Sequence, residues 1–193
     1  ELVKKLEING FTCNVFEDSY QVKKYLLEEI KLEDSIAIGG SMTIKSLNLF
    51  EDFKERGNQV FWHWKADKVD EELKRAKTAK IYLTSTNALT LDGKLVNMDG
   101  NGNRVASMVF GHEKVFIGKN KICKDYESAI ERIETVAAPK NAKRLGLNTY
   151  CSQTGECNDC YTADRMCSVE TIIHKNPGKT KINICLVDEE LGY

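Results

Sequence analysis

Cys151, Cys157, Cys160 and Cys167 fall within seventeen residues in a C-x5-C-x2-C-x6-C arrangement. Two thiolates separated by a tight turn can reach one ion, and the outer cysteines can complete a set of four ligands. All-thiolate ligation suits an iron–sulfur cluster. The surrounding residues, Thr154-Gly155 and Asn158-Asp159 among them, contribute little apolar surface. A structural zinc that orders such a segment is therefore a second reading, and free thiols or disulfides a third. The spacing matches neither the ferredoxin runs nor a zinc ribbon, so it does not choose the metal. Cys13, Cys123 and Cys185 sit in or beside apolar segments and read as small hydrophobes.

A second group is Gly39-Gly40-Ser41-Met42-Thr43, directly after the apolar run Ser35-Ile36-Ala37-Ile38. Glycines let a ligand approach the backbone, and a following helix offers free N–H groups to an anion, with the Ser41 and Thr43 hydroxyls as further donors. The run satisfies neither the dinucleotide GxGxxG nor the GxxxxGK[ST] pattern. An ordinary strand-to-helix turn with a Ser or Thr cap explains it equally well.

The third group is Thr84, Ser85, Thr86 and Asn87 at the end of a strand, with Asp99, Asn101 and Arg104 from the turns that follow. Ligands of open α/β sheets sit beyond the carboxyl ends of the strands. These residues are expected to converge with Gly39, Gly40, Ser41 and Thr43 on the carboxylate or phosphate of a small anionic metabolite, Arg104 making the charge-assisted contact. His63, His112 and His174 are scattered, and no Ser-His-Asp or Cys-His spacing emerges.

The elements that must position these groups alternate short β-branched runs with helical periods, the pattern of an α/β fold with an open, mostly parallel sheet covered by helices on both faces. Expected helices are Glu1 to Ile8, Ser19 to Ile30 with an Asp18 cap, one from the glycine turn to about Arg56, Asp67 to Thr78, Arg104 to Phe110, and a long one from Tyr126 to Leu145. Expected strands are Phe11 to Phe16, Ser35 to Ile38, Gln59 to Trp64, Lys80 to Thr84, Lys114 to Ile117 and Lys181 to Val187. Asp92-Gly93 between Leu89-Thr90-Leu91 and Leu95-Val96-Asn97 marks an antiparallel β-ribbon inserted into that order.

The 193 residues, 41% hydrophobic and 30% charged with 2 prolines, suit one globular domain over 1–193, with 149–169 its cysteine-rich metal-binding segment. Twenty-eight basic residues against 29 acidic ones leave a net charge of −1, which disfavours nucleic acid as a partner. No apolar run is long enough to span a bilayer, and the first ten residues lack the core of a signal peptide, although a leader trimmed from ahead of Glu1 stays open. Four clustered cysteines that suit ligation better than disulfides point to a reducing, cytoplasmic compartment.

Taken in order, the Gly39 to Thr43 loop, Thr84-Ser85-Thr86-Asn87-Ala88, the Asp92-Gly93 ribbon, Asn101-Gly102-Asn103-Arg104 and Lys114-Val115-Phe116-Ile117-Gly118 resemble the LUD-domain (lactate utilization, DUF162) family. That family includes the smallest component of bacterial lactate-utilization operons. It is similar in fold to glucosamine-phosphate deaminases, ribose-phosphate isomerases and coenzyme A transferases. The resemblance implies an accessory or catalytic subunit of lactate-type organic-acid oxidation, an iron–sulfur redox protein as partner, and room for a homo-oligomer. A binding or regulatory module with structural zinc, or a sugar-phosphate isomerase or transferase, are the alternatives. Many members carry a Ser-Arg-Thr-Ala-Asp-type segment after the long helix. Here the Cys151 to Cys167 stretch replaces it, which marks a cysteine-containing branch.

Overall fold

The computed structural model describes residues 1–119 and 121–193. The chain runs through α1 (Leu2–Ile8), β1 (Thr12–Phe16), α2 (Ser19–Glu29), β2 (Ile36–Ile38), α3 (Met42–Ser46), α4 (Leu49–Arg56), β3 (Val60–Phe61), α5 (Val69–Ala76) and β4 (Ile81–Ser85). There follow β5 (Ala88–Thr90), β6 (Leu95–Asp99), α6 (Asn103–Val109), β7 (Lys114–Lys119), β8 (Ile122–Cys123), α7 (Tyr126–Arg132), α8 (Ala138–Leu145), α9 (Tyr150–Thr154), β9 (Val169–Ile173) and β10 (Lys181–Val187).

Six strands form a sheet in the order β1-β10-β7-β4-β2-β3, and every pairing in it is parallel. Side chains alternate across its two faces with the period of two that a strand imposes. Ala37, Tyr82, Val115, Ile117, Ile182 and Ile184 pack with Leu6 of α1 and Val105 and Met108 of α6. Ile36, Ile38, Ile81, Leu83, Phe116 and Cys185 pack on the other face with Val22 and Leu26 of α2 and Phe53 of α4. Parallel strands buried on both faces carry continuous apolar runs, which is why Ile36-Ala37-Ile38 reads so clearly as a strand.

The connections reverse direction between β2 and β4. From β2 the chain moves outward to β3, and from β4 it moves the opposite way through β7 to β10. The loops after β2 and β4 therefore diverge and leave a crevice at their carboxyl ends, the place where doubly wound sheets bind ligands.

The ribbon at Asp92-Gly93 forms as β5 and β6, antiparallel with Leu89 opposite Leu95. It is the centre of a four-stranded sheet, β8-β5-β6-β9, rather than a two-stranded insertion. Neither outer strand stands out locally: β9 pairs with β6 from seventy or more residues away in sequence, Ile173 facing Leu95 and Val169 facing Asp99.

Three further expectations change. The helix expected to run to Arg56 is interrupted where Asn48 takes the left-handed conformation at φ 53°, one that Asn tolerates better than most residues. The strand expected to reach Trp64 stops at Phe61, because the Trp62 N–H donates to Glu72 Oε1 at 3.0 Å and a 3-10 turn covers His63–Lys65. The long helix from Tyr126 to Leu145 contains a π turn at Ile133–Ala137, where the Ala138 N–H reaches back to Ile133 O. Pro139 follows at the start of α8; it lacks an N–H and its ring crowds the carbonyl four residues earlier, so a widened turn carries the helix past it. No helix among the described residues is long and apolar enough to cross a membrane.

Phe116 is 1% exposed on the central strand β7. Phe116→Ala should cost about 3 to 5 kcal/mol, measured as a fall in the urea midpoint at unchanged slope; a loss below about 1 kcal/mol would contradict this account of the core.

Candidate functional site

A cavity of about 470 Å³ opens at the β2/β4 crevice. Gly40, Ser41 and Thr43 line it from the loop after β2, and Ser85, Thr86 and Asn87 from the end of β4. Asp99, Asn101 and Arg104 add the wall between β6 and α6. Ser41 Oγ and Ser85 Oγ lie 2.8 Å apart and so tie the two diverging loops together. Gly39 and Thr84 stand behind this surface. A Cβ on Gly39 would collide with Tyr82 Oη and lie 3.0 Å from Thr84 Oγ1, so that glycine serves packing under the loop rather than contact with a ligand. Ser41 also caps α3, its Oγ accepting from the Ile44 N–H at 3.2 Å.

Arg104 is 9% exposed and spends its guanidinium on the protein. Nη1 donates to Ser85 O at 2.9 Å and Asn97 Oδ1 at 2.8 Å, and Nη2 to Asn87 Oδ1 and Met98 O, both at 2.8 Å. Nε faces Asp99 Oδ2 at 3.9 Å. Burial pulls its pKa down from the ordinary arginine value, while Asp99 and Tyr82 oppose the shift. Asp99 in turn accepts from the N–H groups of Asn101, Gly102 and Val105, so its carboxylate covers donors that α6 leaves open at its start. Arg104 and Asp99 therefore brace the wall in which they stand.

Several lining residues escaped the sequence reading. Trp64 lies against Gly40, whose added Cβ would sit 3.4 Å from the indole. His63 beside it is held below the usual histidine pKa by burial, with Glu72 opposing. Arg144 of α8 stacks over Trp64 at 4.7 Å. It donates through Nε to Tyr193 Oη at 2.8 Å, and through Nε and Nη2 to Asn141 Oδ1 at 3.1 and 2.7 Å. Tyr193 arrives on the segment after β10: Thr43 Oγ1 donates to Leu191 O at 3.2 Å, and Gly192, at φ 63°, presses so close that a Cβ would lie 2.8 Å from Thr43 N. Ile133 and Ala137 of the π turn also face the cavity. The π turn follows from Pro139, a visible signal; the others come together only through the fold.

The cysteine segment forms the remaining wall. Thr149 caps α9 in a capping box with Ser152, and α9 carries Cys151. Asp159, in the left-handed region at φ 48°, donates its N–H to Cys157 Sγ at 3.5 Å. Arg165 gathers the loop, donating from Nη1 to Cys160 O at 2.7 Å and from Nε to Cys167 O at 2.9 Å while pairing with Asp159 at 2.7 Å. Burial raises the Cys167 thiol to about 11, with Cys151, Cys157 and Cys160 adding to the rise and Arg165 opposing it. The other three thiols thus lie within electrostatic reach of Cys167. Among the described residues no three His, Cys, Asp or Glu side chains stand ready to coordinate one ion; coordination requires the loop to draw its thiols inward, as sites that fold around their metal do. Ala163, Asp164, Arg165 and Met166, all between Cys160 and Cys167, line the cavity.

The LUD domain family model matches residues 1–187. The chain belongs to the LUD domain family. A solved structure similar to this LUD domain is a DUF162 family protein from Deinococcus radiodurans, 8% identical, with 95% of this chain and 93% of that one covered at a TM-score of 0.49. No curated protein matches the chain.

Replacing Arg104 by Met strips donors from Ser85 O, Met98 O and Asn97 Oδ1 and leaves Asp99 without its counter-charge. The LUD domain should lose about 3 to 5 kcal/mol in denaturant unfolding, and an unchanged midpoint would contradict the bracing role.

Alkaline pH should weaken the fold through its thiols. Burial raises Cys167 to about 11 and Cys185 to about 12 from an ordinary 9.0. Above about pH 9 the unfolded chain releases these protons while the folded one keeps them, so stability present below pH 9 is lost as pH rises toward 11 and 12. Urea midpoints across that window should fall, and Cys185→Ala should flatten the fall; an equal slope in that variant would remove the thiol as its cause.

Proposed function

We propose that this LUD domain serves the oxidation of a small organic acid of the lactate type, as an accessory or catalytic subunit. It holds the acid's anion in the switch-point cavity and a metal or iron–sulfur centre in the cysteine loop. The observation that supports the reading is a shared wall: residues 163–166 lie between two of the cysteines and line the cavity that Ser41, Ser85 and Asn101 also line. A centre at Cys151, Cys157, Cys160 and Cys167 is thereby a neighbour of the ligand.

The donor set fits such a centre by its chemistry, with three thiols in electrostatic reach of Cys167, a backbone N–H on Cys157 and an arginine that holds the loop by two carbonyls. An iron–sulfur cluster bound there would supply a one-electron carrier toward an iron–sulfur redox partner. The chain's own residues do the rest. Gly40 allows close backbone approach, the Ser41 and Ser85 hydroxyls offer hydrogen bonds to the acid, and the Trp64 ring with Arg144 stacked over it closes one side. A zinc at the same cysteines is the second reading, favoured by the exposure of Cys157 and the polar character of the loop, and would make the segment a staple.

Anaerobic purification with iron, zinc and sulfide analysis tests the centre, and calorimetric titration with L-lactate and pyruvate tests the cavity. One cluster or one zinc per chain and saturable acid binding are expected; a metal-free protein after reconstitution, with no acid bound, would sink the proposal. The Cys157→Ser/Cys160→Ser variant should lose the metal and admit protease within residues 149–169, whereas Cys13→Ser should keep both metal and protection. Retention of stoichiometric metal in the double variant would separate the metal from this loop.

A further inference from the structure

We infer that Arg144 is the residue that receives the ligand's negative charge, and that the ligand is a carboxylate-bearing metabolite with one uncompensated charge. This rests on the cavity being a small-anion site, and adds to it which group binds and what class it selects.

The cavity wall carries three guanidiniums, Arg104, Arg144 and Arg165, and two carboxylates, Asp99 and Asp164. Arg104 is buried, faces Asp99 and is surrounded by protein acceptors. Arg165 pairs with Asp159 and two backbone carbonyls. Asp164 accepts from the Asn148 N–H at 2.8 Å. Among the described residues, no ion pair joins Arg144 to a carboxylate; its partners are the neutral Asn141 and Tyr193. Arg144 is therefore the guanidinium of the wall that no carboxylate neutralises among the described residues, and Asp164, which meets a backbone N–H, is the carboxylate left without a cation.

The bonding of Arg144 is also directional. Nε and Nη2 share Asn141 Oδ1, and Nε meets Tyr193 Oη, so the side edge of the guanidinium is occupied. The terminal edge, Nη1 with the second hydrogen of Nη2, keeps the fork that matches a carboxylate with two parallel hydrogen bonds. Stacking on Trp64 and the two hydrogen-bond partners hold the plane of the group before any ligand arrives, which lowers the entropy lost on binding. The open fork of this one guanidinium meets one monoanionic carboxylate, whereas a phosphate dianion would bring more negative charge toward Asp164, which has no cation partner among the described residues.

The test is calorimetric titration of the metal-loaded chain with L-lactate, pyruvate and inorganic phosphate, for the native protein and for Arg144→Gln and Arg144→Lys. Arg144 is exposed, so both variants should keep the native circular dichroism and melting temperature. Carboxylate affinity should fall at least about tenfold in Arg144→Gln, with Arg144→Lys between it and the native protein because a lysine keeps the charge but not the fork. If the native chain binds a carboxylate and Arg144→Gln binds it within about twofold, the assignment of Arg144 is overturned while the cavity reading stands. If the native chain binds phosphate in preference to both carboxylates, the ligand class is overturned. If it binds none of the three, both this inference and the cavity reading fall.

Discussion

A buried guanidinium must find acceptors for its donors, and at Arg104 that requirement joins the two sheets. Its partners come from the end of β4, the loop after it, and the strand β6. Withdrawing a charge this far from water is unfavourable unless every side of it is met. The carboxyl end of the parallel sheet and the antiparallel sheet therefore have to stand in one arrangement about it. Asp99 completes the unit by serving both the arginine and the start of α6. The cavity inherits its fixed wall from this constraint, and the residues that hold the wall are thereby spent as ligand contacts.

On that frame the cysteine loop is attached at several points rather than left hanging. The Ser168 N–H donates to Asp99 O at 3.1 Å, and Met166 O would lie 3.2 Å from a Cβ on Gly100, so the loop rests on the turn that carries Asp99. Asp164 meets the Asn148 backbone, and Asn141 Nδ2 lies 3.7 Å from Met166 Sδ. Asn141 also positions Arg144. A change in the loop would thus be felt at Arg144 through contacts one residue deep. That proximity gives a physical route by which a group held at the cysteines and one held in the cavity would influence one another, each biasing the same loop arrangement.

The cavity owes little of its polar surface to a helix dipole. The helix after the glycine loop is five residues long and its cap is taken by Ser41, so it offers an anion little on its own. The polar surface comes instead from hydroxyls, amides and an arginine delivered by five separate stretches of chain. Such a surface suits a small, well-hydrated anion, whose water has to be replaced by several weak partners in place of one strong one.

The sequence by itself determined what local periodicity and chain chemistry dictate. The buried strands Ile36–Ile38, Ile81–Ser85 and Lys181–Val187, the Asp18 cap, the Asp92-Gly93 turn and the parallel α/β class are properties of neighbouring residues, and neighbouring residues were enough to reveal them. The same holds for the placement of Ser41, Ser85, Asn87, Asp99, Asn101 and Arg104 around one crevice, because strand ends and their loops carry that information. What only the tertiary structure decided depends on partners distant in the chain. Strand β9 exists as an edge of β6. Arg104 turns inward because four acceptors meet there, and Arg144 faces the cavity because Trp64, Asn141 and Tyr193, separated by up to 129 residues, close around it. A charge in a sequence says that a site can be ionic; which charge is consumed by the fold and which is left for a ligand is settled by packing, since burial and pairing are properties of the assembled chain.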